Sequence, residues 1–147
     1  MCNLLIAEDE KSLRDKVAAN VDWEGLGYRL FVAKDGEEAL EIIAREPIDI
    51  LVTDIRMPGM DGLELTERAK CINDQIKVII ISGHAEFELA QSSIRLGVED
   101  YLLKPFRTQR LLDVVEKTRA KIAAERERQA HQRRQEELAQ QNLERRM

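Results

Sequence analysis

Four short stretches of the 147-residue chain carry residues that could act together on phosphate: Glu8-Asp9-Glu10, Asp54, Ser82-Gly83-His84 and Lys104-Pro105. Carboxylates gathered in one place repel, and at least one resists ionising unless a cation lies between them. A hard divalent ion such as Mg2+, held by one or two carboxylates together with water and a phosphate, suits Glu8, Asp9 and Asp54. An aspartate can also be a nucleophile that forms an acyl phosphate. Lys104 would then supply a point charge for the phosphoryl oxygens, and the Ser82 hydroxyl a hydrogen bond. Each residue alone has a plainer explanation. A strand-end aspartate is more often a turn former or helix cap, Glu8-Asp9 an acidic first turn, and Ser-Gly or Lys-Pro a loop. Their joint occurrence, in chain order and at successive strand ends, favours the chemistry.

The elements that must position them follow from hydrophobic patterning. Leu4–Ala7, Tyr28–Ala33, Ile48–Thr53, Ile76–Ile81 and Asp100–Leu103 read as strands. Helical spacing recurs between them, at Leu13/Val17/Val21, Ala39/Leu40/Ile43, Leu63/Leu65/Ala69 and Leu89/Ile94/Leu96, and a fifth helix is expected from Arg107. The middle runs, ILVT and VIII, do not alternate polar with apolar, so both faces of those strands must be covered. Five β–α repeats of this kind predict an α/β domain with an open, doubly wound parallel sheet. Active groups in such folds lie at the carboxyl ends of the strands, where the four stretches fall.

Composition narrows the class further. The chain is 44% hydrophobic and 35% charged, which suits one soluble domain with a polar extension. Residues 1–118 hold 15 Lys and Arg against 23 Asp and Glu, whereas residues 119–147 hold 8 against 5. We therefore divide the chain into a domain, 1–118, and a polar helical extension, 119–147. No apolar run approaches the roughly 18 residues that span a bilayer. The start, MCNLLIAEDE, lacks the basic segment and cleavage site of a signal peptide, so a cytoplasmic location is expected. Cys2 and Cys71 are too few for a disulfide or zinc framework and are expected to be reduced. There is no zinc spacing or Walker loop, and no helix-turn-helix pair follows residue 118.

The extension, RAKIAAERERQAHQRRQEELAQQNLERRM, is rich in helix formers and lacks Gly and Pro, so it should continue the fifth helix to about Arg145. Steps of four and three from Leu111 give Val115, Thr118, Ile122, Glu125, Gln129, Gln132, Glu136, Ala139 and Leu143. That seam is apolar only near the domain and supports a marginal coiled coil, with a dimer seam expected to start near Val115. Its basic balance is the mark of a solvated helix more often than of nucleic-acid binding. The end at Arg-Arg-Met reads as a cut inside a signalling helix.

Together, IAEDE, DGEEAL, ILVTDIRMPGMDGLEL, IISG and DYLLKPF resemble the receiver domain of two-component response regulators, over about residues 3–118. The resemblance implies a flavodoxin-like (βα)5 fold with strand order 2-1-3-4-5. It implies that Asp54 accepts a phosphoryl group from a phosphohistidine on a sensor histidine kinase. Asp9, Asp54 and the backbone carbonyl of Arg56 would hold Mg2+, with Glu8 helping directly or through water. Ser82 and Tyr101 would form the switch pair, with the hydroxyl moving to the phosphoryl group and the ring swinging inward. Lys104 would bind the phosphate, with a cis peptide to Pro105. In the family, the residues two after the acceptor and two after the switch hydroxyl flank the attacking water, which gives Arg56 and His84 a role in phosphoryl lifetime.

Asp22-Trp23 with Leu26-Gly27, and Ser82-Gly83 with Glu86-Phe87-Glu88, are similar to receivers attached to AraC-type DNA-binding domains. Trp23 and Phe87 themselves read as packing residues, and His84 departs from the aromatic common at its position. The implied function is a switch acting through the fourth helix, fifth strand and fifth helix. It would control transcription through a DNA-binding domain absent from this chain. It would have at most self-phosphotransfer and self-dephosphorylation activity. Two other classes compete. A haloacid-dehalogenase-type phosphatase wants a second Asp two positions after the nucleophile, where this chain has Arg56. A purely structural dimerisation module is opposed by the intact set of Glu8, Asp9, Asp54, Ser82 and Lys104.

Overall fold

A computed structural model describes residues 1–83, 91 and 94–146, with side chains through residue 144. Five strands, β1 (Cys2–Ala7), β2 (Tyr28–Ala33), β3 (Ile50–Asp54), β4 (Lys77–Ser82) and β5 (Asp100–Leu103), form one sheet in the order β2-β1-β3-β4-β5. Every pairing is parallel. Three helices, α1 (Lys11–Asn20), α2 (Gly36–Arg45) and α3 (Gly62–Ile72), connect the first four strands, and a C-terminal helix runs over Thr108–Arg146. This is the flavodoxin-like, doubly wound order expected from the sequence. The expected fourth helix falls mostly on residues 84–93, and Leu89, His84 and Phe87 lie outside the described residues.

Successive strand side chains point to opposite faces, and the core divides accordingly. Leu5, Leu51, Val78 and Ile80 pack with Ala39, Ile42 and Ile43 of α2 and with Leu65 and Ala69 of α3. Leu4, Ile6, Ile50, Val52, Ile79 and Ile81 pack instead with Val17 of α1 and with Leu111, Val114, Val115 and Ile122 of the C-terminal helix. Helices α2 and α3 start on aspartates whose carboxylates accept the N–H of the third helical residue, Asp35 from Glu38 and Asp61 from Glu64, each at 2.8 Å. Helix α1 differs. It starts after Glu10 with no side-chain cap, and Val17 is its one fully buried residue.

The C-terminal helix does not break at residue 118. Its next two turns close over the amino ends of the strands. The Arg119 guanidinium stacks on the Tyr28 ring, 4.3 Å from its centroid, and donates to the Leu26 carbonyl at 2.8 Å. Lys77 pairs with Glu99 at 3.3 Å and with Glu125 at 3.2 Å, Lys121 pairs with Glu99 at 3.4 Å, and Arg126 with Asp49 at 2.9 Å. Beyond Arg126 the described side chains are exposed. The positions expected to open a dimer seam near Val115 are taken up within the chain. Leu111, Val115, Thr118 and Ile122 are buried on the chain's own sheet, because packing there removes more apolar surface than waiting for a partner would. Among the described residues no helix is long and apolar enough to cross a membrane.

Candidate functional site at the carboxyl end of the sheet

Parallel strands bring the chemistry-bearing residues to one rim. β1 stops at Ala7, so Glu8 and Asp9 follow at its carboxyl end, and β3 ends on Asp54. Glu8 is fully buried and Asp54 is 5% exposed, while Asp9 faces solvent. Each of the three offers an oxygen, and these atoms lie within 4.8 Å of one another. Lys104, directly after β5, places Nζ 2.7 Å from Asp54 Oδ2 and 3.3 Å from Glu8 Oε1. The other Asp54 oxygen, Oδ1, accepts the Arg56 backbone N–H at 3.3 Å. The site thus holds three carboxylates and one ammonium.

That imbalance shows in the titration of the groups. Burial, then the charge of Asp54, pushes the Glu8 carboxyl up to about 8, with Lys104 working against both. Burial acts to lower the Lys104 ammonium, but its bond to Asp54 and the charges of Glu8 and Asp54 outweigh it and hold it above its ordinary value. Two buried polar atoms here have no hydrogen-bond partner, Glu8 Oε2 and Ser82 Oγ. Ser82 closes β4, and its carbonyl accepts from the Lys104 N–H at 2.7 Å. A buried hydroxyl and a buried carboxylate oxygen left open fit an acceptor beside the hydroxyl and a positive partner beside the carboxylate. A hard cation on the carboxylates and a phosphoryl group by Ser82 and Lys104 meet that description.

Several other sequence-selected residues are placed around this centre. The Lys104–Pro105 peptide is cis. Tyr101, on β5, is 40% exposed and lines an open groove of about 550 Å3 with Leu103, Pro105 and Phe106. Arg56 has an exposed side chain on the rim of a second opening, of about 390 Å3, shared with Asp9, Met57, Pro58 and Asp61. His84 lies outside the described residues. Trp23 is buried against Tyr28 in an edge-to-face contact and donates to the Val17 carbonyl, a packing role. One requirement escaped the sequence reading. At Gly62 a methyl group would collide with the Asp54 carbonyl, so α3 can start this close to the acceptor only with glycine there. The Asp61-Gly62 pair opening a helix was the available signal.

Comparison with known proteins places the chain in a family. The family model for the response regulator receiver domain matches residues 4–116. The transcriptional regulatory protein YesN of Bacillus subtilis is 38% identical over 123 residues, covering 83% of this chain and 33% of that protein. The chain therefore spans about a third of that relative's length. Sporulation initiation phosphotransferase F of Bacillus subtilis is 35% identical over 114 residues, 78% of this chain and 90% of that one. Among solved structures, the receiver domain of AraT, a response regulator from Geobacillus stearothermophilus, superposes with a TM-score of 0.79. It shares 42% identity and covers 85% of this chain and 98% of its own. With the matched segment running from within β1 through β5 and taking in the whole acidic rim, the chain belongs to the response regulator receiver domain family.

Proposed function

We propose that the chain is a phosphoacceptor switch that takes a phosphoryl group from a phosphohistidine on a sensor histidine kinase onto Asp54. The observation that carries this reading is the contact of Lys104 Nζ with Asp54 Oδ2 at 2.7 Å, inside a cluster completed by Glu8 and Asp9. When bound to Asp9, Asp54, the Arg56 carbonyl and, directly or through water, Glu8, Mg2+ supplies charge neutralisation for the phosphoryl oxygens. An Asp54 carboxylate oxygen attacks phosphorus, the bond to the imidazole nitrogen breaks, and an acyl phosphate forms. Lys104 then turns from Asp54 to a phosphoryl oxygen, and Ser82 Oγ, which has no partner before transfer, donates to another. Tyr101 follows by leaving its exposed position for the space behind Ser82. The group adds about −1.5 to −2 charge on the free phosphate scale and biases a two-state equilibrium toward the switched form.

Arg56 and His84 tune how long the acyl phosphate lasts by flanking the path of water. The output surface is the fourth helix with β5 and the start of the C-terminal helix, and a DNA-binding domain in a longer protein would convert it to transcription control in the cytoplasm. A second copy would engage this chain through the exposed helix beyond Arg126. Incubation with acetyl phosphate and Mg2+, followed by intact mass, tests the central step. The wild type gains one phosphoryl group and Asp54→Ala gains none. Equal labelling of both removes Asp54 as acceptor, and turnover of a phosphomonoester without labelling favours the phosphatase reading.

A further inference from the structure

Between β1 and α1, the loop that carries Glu8 and Asp9 is fastened differently from the loops that lead into α2 and α3. Asp35 and Asp61 hold the starts of α2 and α3 by giving a carboxylate oxygen to a helix N–H. The start of α1 has no such cap. A carboxylate in this loop that capped the helix would be lost to a cation. Instead Arg14, in the first turn of α1, reaches back over the loop. Its Nη1 donates to the Glu8 carbonyl at 2.6 Å and to the Asp9 carbonyl at 2.9 Å. Helical side chains lean toward the amino terminus, so an arginine four residues into α1 is well placed for this.

We infer that Arg14 is a positioning residue for the cation site, one that orders the Glu8-Asp9 backbone from the carbonyl side and takes up no carboxylate oxygen in doing so. Because peptide units are planar, fixing two successive carbonyls fixes the direction in which the Asp9 side chain leaves the chain. Ligand preorganisation of this kind commonly changes metal affinity by about 10- to 100-fold when it is lost. The need is greatest at Asp9, the one exposed member of the cluster. Helix α1 has Val17 alone fully buried, and Arg14 adds to the bond by which the Glu8 N–H donates to the Ala33 carbonyl at 3.0 Å in restraining the loop. Its positive charge acts in the opposite direction, since a cation near the acidic rim disfavours another. Order and charge therefore predict opposite signs for the same substitution.

This inference rests on the proposed phosphoacceptor role of the site, and the experiment separates the two. Mn2+ binding, read from the paramagnetic resonance signal of free Mn2+, is compared in wild type, Arg14→Ala and Arg14→Lys. The Mg2+ dependence of labelling by acetyl phosphate and the thermal midpoint are followed alongside. Arg14→Ala is expected to bind Mn2+ about tenfold more weakly and to need correspondingly more Mg2+, with the saturating labelling rate unchanged. Arg14→Lys, which keeps the charge but lacks the rigid planar guanidinium that aims the donor, is expected between the two. Affinity within twofold of wild type, tighter binding by Arg14→Ala, or a lower saturating rate at unchanged affinity each overturns the positioning role. Should Arg14→Ala fold poorly, Arg14→Gln is read by the same titration and the same outcomes. Wild type that binds Mn2+ but is never labelled defeats the phosphoacceptor reading and leaves the binding comparison to decide on Arg14.

Discussion

At the carboxyl end of the sheet two buried carboxylates, with Asp9 beside them, share one ammonium, whereas at its amino end the charges alternate. There Glu99 sits between Lys77 and Lys121, Lys77 between Glu99 and Glu125, and Asp49 takes Arg126. The pairing lowers the Glu99 carboxyl despite its burial, through Lys77 first and then Lys121. At the opposite rim, burial and Asp54 raise Glu8. Of the buried polar atoms without partners, Glu8 Oε2 and Ser82 Oγ lie at the carboxyl rim, and at the amino end the Tyr28 hydroxyl is left open while the charged groups there are paired. The same residue types thus settle the fold at one end and remain unsatisfied at the other. Unsatisfied charge is costly in the resting protein and useful only where a ligand completes it.

The largest test of that contrast is truncation. Cutting after Lys117 removes Thr118, Arg119 and Ile122, all packed on the sheet, and should cost about 3 kcal/mol or more in denaturant unfolding, as for loss of a large buried aliphatic side chain. Cutting after Glu127 should leave stability unchanged and, if self-association occurs, weaken it. Equal stability of the two truncated forms would mean that the amino-end clamp contributes nothing.

Removing charge from the unsatisfied rim should reverse the usual sign. The folded-state carboxyl of Glu8 lies near 8, above its ordinary 4.5, so its stabilising contribution is full below about 4.5 and is lost as the pH rises through 8. Cation-free protein should therefore melt at progressively lower temperature over that interval, and Glu8→Gln should flatten the slope. Mg2+ affinity should climb over the same range as the ion displaces the proton. A wild-type profile identical to that of Glu8→Gln would mean that Glu8 is ionised throughout.

Phosphoryl lifetime is a smaller effect. Replacing Arg56 and His84 together should change the dephosphorylation rate by roughly tenfold, about 1.4 kcal/mol in barrier, and an unaltered half-life would place both away from the water path. Smallest is Glu99→Gln at the paired end. Its partners are a half-buried Lys77 and an exposed Lys121, so a loss of about 1 kcal/mol or less is expected, with labelling of Asp54 intact. A loss of labelling there would show that the two ends are coupled.

The acidic rim was legible because each of its residues stands at the end of a strand or just after it, and parallel topology then gathers them without further information. Strand limits shifted by a residue or two. Ile48 precedes β3, and Asp54 and Ser82 are the last residues of their strands and not the first of a loop. The clamp at the amino end was not legible. Lys77 and Glu125 are 48 residues apart, and the charges of an extended helix look solvated until its direction over the sheet is known. Ile122 suited a seam between copies and the core equally well, and only packing chose. Arg14 left no pattern either, because its partners are backbone carbonyls, which every residue has.

The exposed helix that follows Arg126 turns the clamp into the fulcrum of a lever. About 20 residues at 1.5 Å each extend roughly 30 Å past the last anchoring ion pair. A tilt of about 10° at the Glu99–Lys121 and Asp49–Arg126 contacts, too slight to unpack Ile122, would carry the far end sideways by about 5 Å, close to one helical pitch. Small adjustments at the sheet end thus become displacements large enough to change which residues of two neighbouring helices face each other.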